Sequence, residues 1–142
     1  MSRTGRRVIV LLGLPQYNED GVAAEAITPG MLVDGVTSIS KHATAGGNTA
    51  RAFACEREEM GQDIDAAYAI GDTVKVAVFG GGMHVYAFIA SGQNIAINDK
   101  LESQGTGYLR VLASGTALVR ALEAVNNAAG PGAARIRCEV LP

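Results

Sequence analysis

The sequence contains no tryptophan, and only 5% of its 142 residues are aromatic. Because 48% of the residues are nevertheless apolar and 18 are glycine, the core has to be built mainly from Ala, Val, Ile and Leu. A chain of this length corresponds to about one domain, which buries roughly 68–70% of the surface that its unfolded form exposes. The composition therefore favours one small domain with many short strands and tight turns.

Cysteine and histidine are equally scarce, with two residues of each. Cys55 and Cys138 are too far apart in sequence to indicate a disulfide framework or a paired metal-binding motif, so we interpret both as buried thiols. His42 precedes a turn and is expected to be exposed, whereas His84 lies inside a predicted strand. No Gly-x-Ser-x-Gly motif occurs, and no close pair of ligands defines a metal site. The sequence predicts no catalytic residues, no cofactor and no metal, and so it does not predict an enzyme.

The sequence also lacks an excess of positive charge: it has 12 basic and 14 acidic residues, and its formal net charge is −2. Nucleic-acid-binding domains usually carry a basic patch, so no direct contact with nucleic acid is expected. No apolar stretch approaches the roughly 20 residues that span a bilayer, and no membrane partner is expected either. Arg3, Arg6 and Arg7 precede an apolar run and imitate a secretion signal. Gly13 and Pro15 interrupt that run, so we interpret the segment as part of the mature chain.

From Ile27 onward, short apolar segments alternate with turn residues at intervals of about ten residues, which is typical of a β-sandwich or barrel. The clearest strand is predicted over 73–79, with a partner strand over 83–90 after a run of three glycines. The alternating run 135–141 predicts a half-buried closing strand. We therefore expect an all-β domain over residues 27–142, a small barrel or sandwich of short strands.

Two further patterns lie within this domain. Ile70-Gly71-Asp72-Thr73-Val74 is echoed by Ile97-Asn98-Asp99-Lys100-Leu101, with residues 27–32 as a looser third copy. Gly and Asn tolerate positive φ, and Asp can bond nearby amides, so the echo predicts a repeated turn geometry and not a repeat protein. Residues 117–125 have helical spacing between hairpin-like flanks; a strand is favoured there, and a helix stays open.

Residues 1–26 differ from the rest and predict an extended N-terminal arm. A basic start is followed by an apolar run and then by the polar turn 16–21. Such a run can be buried in the core of its own domain or against another subunit. Burial against another subunit is favoured, because the run is separated from the domain by a linker with Gly, Asn and Asp and follows three arginines.

The order of several motifs between Ile27 and Leu141 resembles the small capsid decoration (cement) proteins of tailed bacteriophages. The segments that carry the resemblance are Ile27-Thr28-Pro29-Gly30, His42-Ala43-Thr44-Ala45-Gly46-Gly47, Phe53-Ala54-Cys55-Glu56-Arg57-Glu58, Tyr68 to Val76, Leu101-Glu102-Ser103-Gln104-Gly105, Ala121 to Val125 and Ala134-Arg135-Ile136-Arg137. The long N-terminal extension departs from the simplest members of that family.

The resemblance implies a β-tulip-like barrel that is made in the cytoplasm of a bacterial host and attached to the exterior of the virion. Its implied partners are the major capsid protein and further copies of itself, as a homo-trimer at local three-fold positions, and its implied role is to stabilise the shell against the pressure of packaged DNA. For the arm, we predict capsid contact through a set of basic and apolar residues. They are Arg3, Arg6, Arg7, Val8, Ile9, Val10, Leu11, Leu12, Leu14 and Tyr17.

The rival hypothesis is a small-molecule-binding or carrier β-barrel. Asn98-Asp99-Lys100 between two predicted strands resembles the lysine-bearing hairpin of lipoyl carrier domains. A closed apolar pocket or a modified Lys100 would favour this alternative.

Overall fold

The computed structural model describes residues 8–57, 61–128 and 132–142. Regular secondary structure in these residues is entirely β, which confirms the predicted fold class. The described residues form thirteen strands: β1 (Val10–Leu12), β2 (Gln16–Ala23), β3 (Val33–Asp34), β4 (Ser38–Lys41), β5 (Ala52–Ala54), β6 (Thr73–Val78), β7 (His84–Ile89), β8 (Asn94–Ile95), β9 (Lys100–Ser103), β10 (Leu109–Val111), β11 (Val119–Ala121), β12 (Val125–Asn126) and β13 (Ala134–Val140).

Five strands close into a barrel in the order β7-β10-β9-β11-β13, because β13 also pairs with β7. Alternate residues of β7 and β13 point inward, as the period of two in a strand requires. Val85 and Ile89 of β7 meet Ile136 and Val140 of β13 in this interior, and all four side chains are buried. We call this unit the first barrel.

The other edge of β7 receives three different segments of the chain. The Tyr86 amide donates to the Ile9 carbonyl at 2.8 Å, the Phe88 amide to the Gly30 carbonyl at 3.0 Å, and the Ala90 amide to the Leu109 carbonyl at 2.9 Å. Because both edges of β7 are occupied, this strand is central to the fold even though it is only six residues long.

A second sheet has the order β3-β4-β2-β6-β5 and its own core. An isolated bridge between Leu32, just before β3, and Phe53 of β5 joins the two ends of this sheet, so that it curls toward closure. Ile27, Ile39 and Val74 are among the fully buried side chains of its core.

Strand β5 is buried on both faces because it lies between the two cores. Ala52 and Ala54 belong to the core of the second sheet, whereas Phe53 points the other way into the core of the first barrel. Phe53 packs edge-on against Phe79, with ring centroids 5.7 Å apart. This alternation joins the barrel and the second sheet into one continuous packed unit.

The sequence echo corresponds to a turn with a carboxylate cap. In turn 69–72 the Asp72 amide donates to the Ala69 carbonyl at 3.0 Å, and the Ala69 amide donates to the Asp72 carboxylate at 2.8 Å. Turn 96–99 repeats both bonds between Asp99 and Ala96, at 3.1 and 2.9 Å. The third residue has a positive φ in each turn, 93° at Gly71 and 78° at Asn98, as a type II turn requires.

Each of these turns is fixed to the end of a neighbouring strand by the same two bonds. The Gly71 amide donates to the Ala23 carbonyl, and the Ala23 amide donates to the Asp72 carbonyl. Ala121 makes the equivalent pair with turn 96–99, Ala54 with turn 28–31, and Val140 with turn 80–83. The predicted repetition of turn geometry is confirmed, and it extends to a fourth turn that sequence similarity did not reveal.

Replacing Ile70 with proline is expected to stabilise the protein by about 0.4–1 kcal/mol. The second position of a type II turn suits the fixed φ of proline, and Pro29 already occupies the equivalent position of turn 28–31. Chemical denaturation of the variant and the wild type measures the difference. The Ile97→Pro variant is the matched comparison. Destabilisation of both variants would show that turns 69–72 and 96–99 do not accept proline as turn 28–31 does.

Residues 8–26 do not form an arm outside the domain, so the expected boundary at residue 26 is not a boundary of the fold. β1 pairs with β7 of the first barrel, and β2 lies between β4 and β6 in the second sheet. The apolar run is buried in part within its own domain, through Ile9, which is the alternative that the sequence did not favour. In the segment 117–125 the predicted strand is confirmed as β11, and β12 begins at Val125.

Candidate interaction surface

β1 holds the start of the described chain against the first barrel. Val10 pairs with Val85 and Leu12 with His84, and the register shifts between these two pairs. The Ile9 amide donates to the carboxylate of Glu56 at 3.2 Å. Immediately after β1 the chain turns at Gly13, whose φ is +102°, and a Cβ there would lie 2.5 Å from the Met83 side chain. The strand and the turn together fix where Leu12 and Leu14 emerge.

The residues predicted to bind a partner divide into an exposed and a buried set. Leu14 is 91% exposed, Leu12 54%, Tyr17 50% and Val8 39%. Ile9 is fully buried in the core of the first barrel, so its side chain cannot contact a partner, which corrects its inclusion in the predicted set. Val10 and Leu11 are half-buried. Arg3, Arg6 and Arg7 lie outside the described residues. 

A shallow groove of about 200 Å³ adjoins this set, lined by Val8, Val10, Tyr17, Cys55, Glu56 and Lys75. The Lys75 ammonium lies 5.0 Å from the centroid of the Tyr17 ring, within the range of a cation–π contact. Burial, with a smaller contribution from Glu56, raises the pKa of the Cys55 thiol to about 12. Cys55 therefore stays a neutral thiol, and the groove presents mixed aromatic, aliphatic and charged groups.

A second group of exposed aliphatic side chains lies at one end of the second sheet. Val22 is 40% exposed, Val36 68% and Ile70 73%. The Val22 amide donates to the Thr37 carbonyl, and the Asn18 amide group donates to the Val36 carbonyl at 3.2 Å. Sequence reasoning missed this group because its members come from a strand, a hairpin loop and a turn, and no local period links them.

His42 is buried, with 3% exposure, and the prediction that it is exposed is wrong. Its Nδ1 lies 2.6 Å from Ser103 Oγ, and its Nε2 lies 3.9 Å from an Asp34 carboxylate oxygen. The trio resembles a Ser-His-Asp constellation, but Ser103 is completely buried and its Oγ accepts the Gly105 amide at 3.1 Å. A nucleophile needs access to substrate. We therefore interpret the trio as a structural link between β3, the residue that follows β4, and β9.

The other histidine and the cysteines also occupy structural positions. His84 is half-buried in β7, opposite Leu12 and Glu139. Cys55 and Cys138 are buried free thiols, as predicted, and burial raises the pKa of Cys138 as well. Among the described residues, no group of three or more His, Cys, Asp or Glu side chains is placed to hold a metal ion.

Lys100, the residue singled out by the carrier hypothesis, is the first residue of β9 and pairs with Arg120 of β11. The turn before it is formed by Ile97 and Asn98, so Lys100 does not occupy the tip of that hairpin. A larger cleft of about 380 Å³ lies elsewhere and is lined mainly by polar side chains. These are Arg57, Gln62, Tyr68, Asp72 and Thr73.

In the part of the chain that the structure describes, no helix is long and apolar enough to cross a membrane. Comparison with protein-family models gives no match, and comparison with curated proteins gives no significant relative.

Proposed function

We propose that this protein is a structural virion protein that binds the outer surface of a tailed-phage capsid and stabilises the shell against the pressure of packaged DNA. The observation that carries the proposal is the exposure of Leu12, the last residue of β1, and of Leu14 just after it, since β1 is fixed to the first barrel. The resemblance of the motifs between Ile27 and Leu141 to decoration proteins supports it. In this role the protein acts on the virion exterior and turns over no substrate.

Apolar contact supplies the binding free energy in this proposal. Full burial of a leucine side chain contributes roughly 1.5–3 kcal/mol, and a backbone that is already ordered loses little further freedom on binding. Leu12, Leu14 and Tyr17 are the contact residues, and the major capsid protein is the partner. Arg3, Arg6 and Arg7 add attraction to an acidic capsid surface.

Copies grouped as trimers at local three-fold positions repeat this contact. Several weak contacts that engage together can hold firmly, because each later contact forms at a high effective concentration. A weak single contact is therefore compatible with stable decoration of a whole shell, and the free protein is expected to be a monomer or a weak trimer.

The Leu12→Ser/Leu14→Ser double variant is expected to bind purified expanded capsid shells at least about tenfold more weakly than the wild type, since 1.4 kcal/mol corresponds to a factor of ten. Co-sedimentation at increasing protein concentration measures occupancy. Ile97→Ser is the matched control, because Ile97 is 58% exposed but lies on turn 96–99, outside the predicted contact set.

Unchanged thermal unfolding of the double variant has to accompany the loss of binding. Equal occupancy by the double variant and the wild type would show that this surface is not the contact. Equal binding of the wild type to capsid shells and to unrelated proteins would refute the proposed function itself.

A further inference from the structure

We draw no further inference here: the strongest candidate, the apolar surface formed by Val22, Val36 and Ile70 at one end of the five-stranded second sheet, carries none because nothing in the structure shows what covers it.

Discussion

Replacing Ile9 with alanine is expected to lower the free energy of unfolding by about 2–5 kcal/mol, as for other fully buried large aliphatic residues. Ile9 is 0% exposed and packs in the core of the first barrel. Leu12→Ala is the matched control, because Leu12 lies three residues away but is 54% exposed. A surface substitution of this kind usually changes stability by less than about 0.5 kcal/mol. Denaturant titration of both variants measures the contrast.

Deletion of residues 1–16 is expected to be more damaging than either substitution. It removes β1 together with the Ile9 side chain, the Ile9 carbonyl that accepts the Tyr86 amide, and the Ile9 amide that donates to Glu56. If the shortened chain unfolds at the same temperature as the wild type, and Ile9→Ala costs less than about 0.5 kcal/mol, the segment is not part of the core. A detachable arm would then describe it better.

Replacing Glu102 with alanine is expected to lower the free energy of unfolding by about 1–3 kcal/mol, the range for leaving hydrogen-bond donors without their buried acceptor. Glu102 is 1% exposed, and its carboxylate accepts Arg110 Nε at 2.7 Å and the amides of Gly115 and Ala113 at 2.8 and 3.2 Å. Glu139→Ala is the matched control, because Glu139 also pairs with an arginine but its side chain is 27% exposed. Partly exposed pairs contribute about 0–1 kcal/mol. A similar loss in both variants would contradict this reading of Glu102.

The same carboxylate makes stability depend on pH. Burial tends to raise the pKa of Glu102, but hydrogen bonds from Arg110 and from two backbone amides outweigh burial and hold the pKa below its ordinary value of 4.5. Because the folded pKa is the lower one, the stabilisation is fully present above the unfolded pKa and is lost as pH falls through the folded pKa. In the Glu102→Gln variant, the free energy of unfolding should therefore fall less steeply as the pH is lowered through the acid range. An unchanged slope would mean that other carboxylates determine the loss of stability in acid.

Local patterns were sufficient to predict the fold class and the best strands. Residues 73–79 and 83–90 were predicted as strands, and the structure has Thr73–Val78 and His84–Ile89. The closing strand 135–141 is observed as Ala134–Val140, with buried residues on alternate positions. These predictions succeed because alternation and turn residues are properties of neighbouring positions, which the sequence displays directly.

The candidate surface was harder to predict, since exposure depends on contacts between distant residues. An apolar run such as residues 8–12 has the same pattern whether it covers its own core or a partner, and only its pairing with β7 decides. The exposure of His42 was wrongly predicted for the same reason. The turn residues that follow it indicate exposure, but Ser103, 61 positions later, contacts its ring. Leu14, a member of the predicted set, has the largest exposure among the large apolar side chains that are exposed.

The three segments that meet on the edge of β7 bear on how the chain reaches this structure. Ile9 and Gly30 precede β7 in the sequence, and Leu109 follows it. The strand on the opposite edge, β13, lies near the end of the chain at residues 134–140. During synthesis the first barrel therefore cannot close until these late residues have left the ribosome. Folding dominated by such nonlocal pairing is slow, and strand edges that wait for partners can pair between chains instead. Yield of soluble protein should consequently depend on expression temperature and chain concentration more steeply than in a fold built from local contacts.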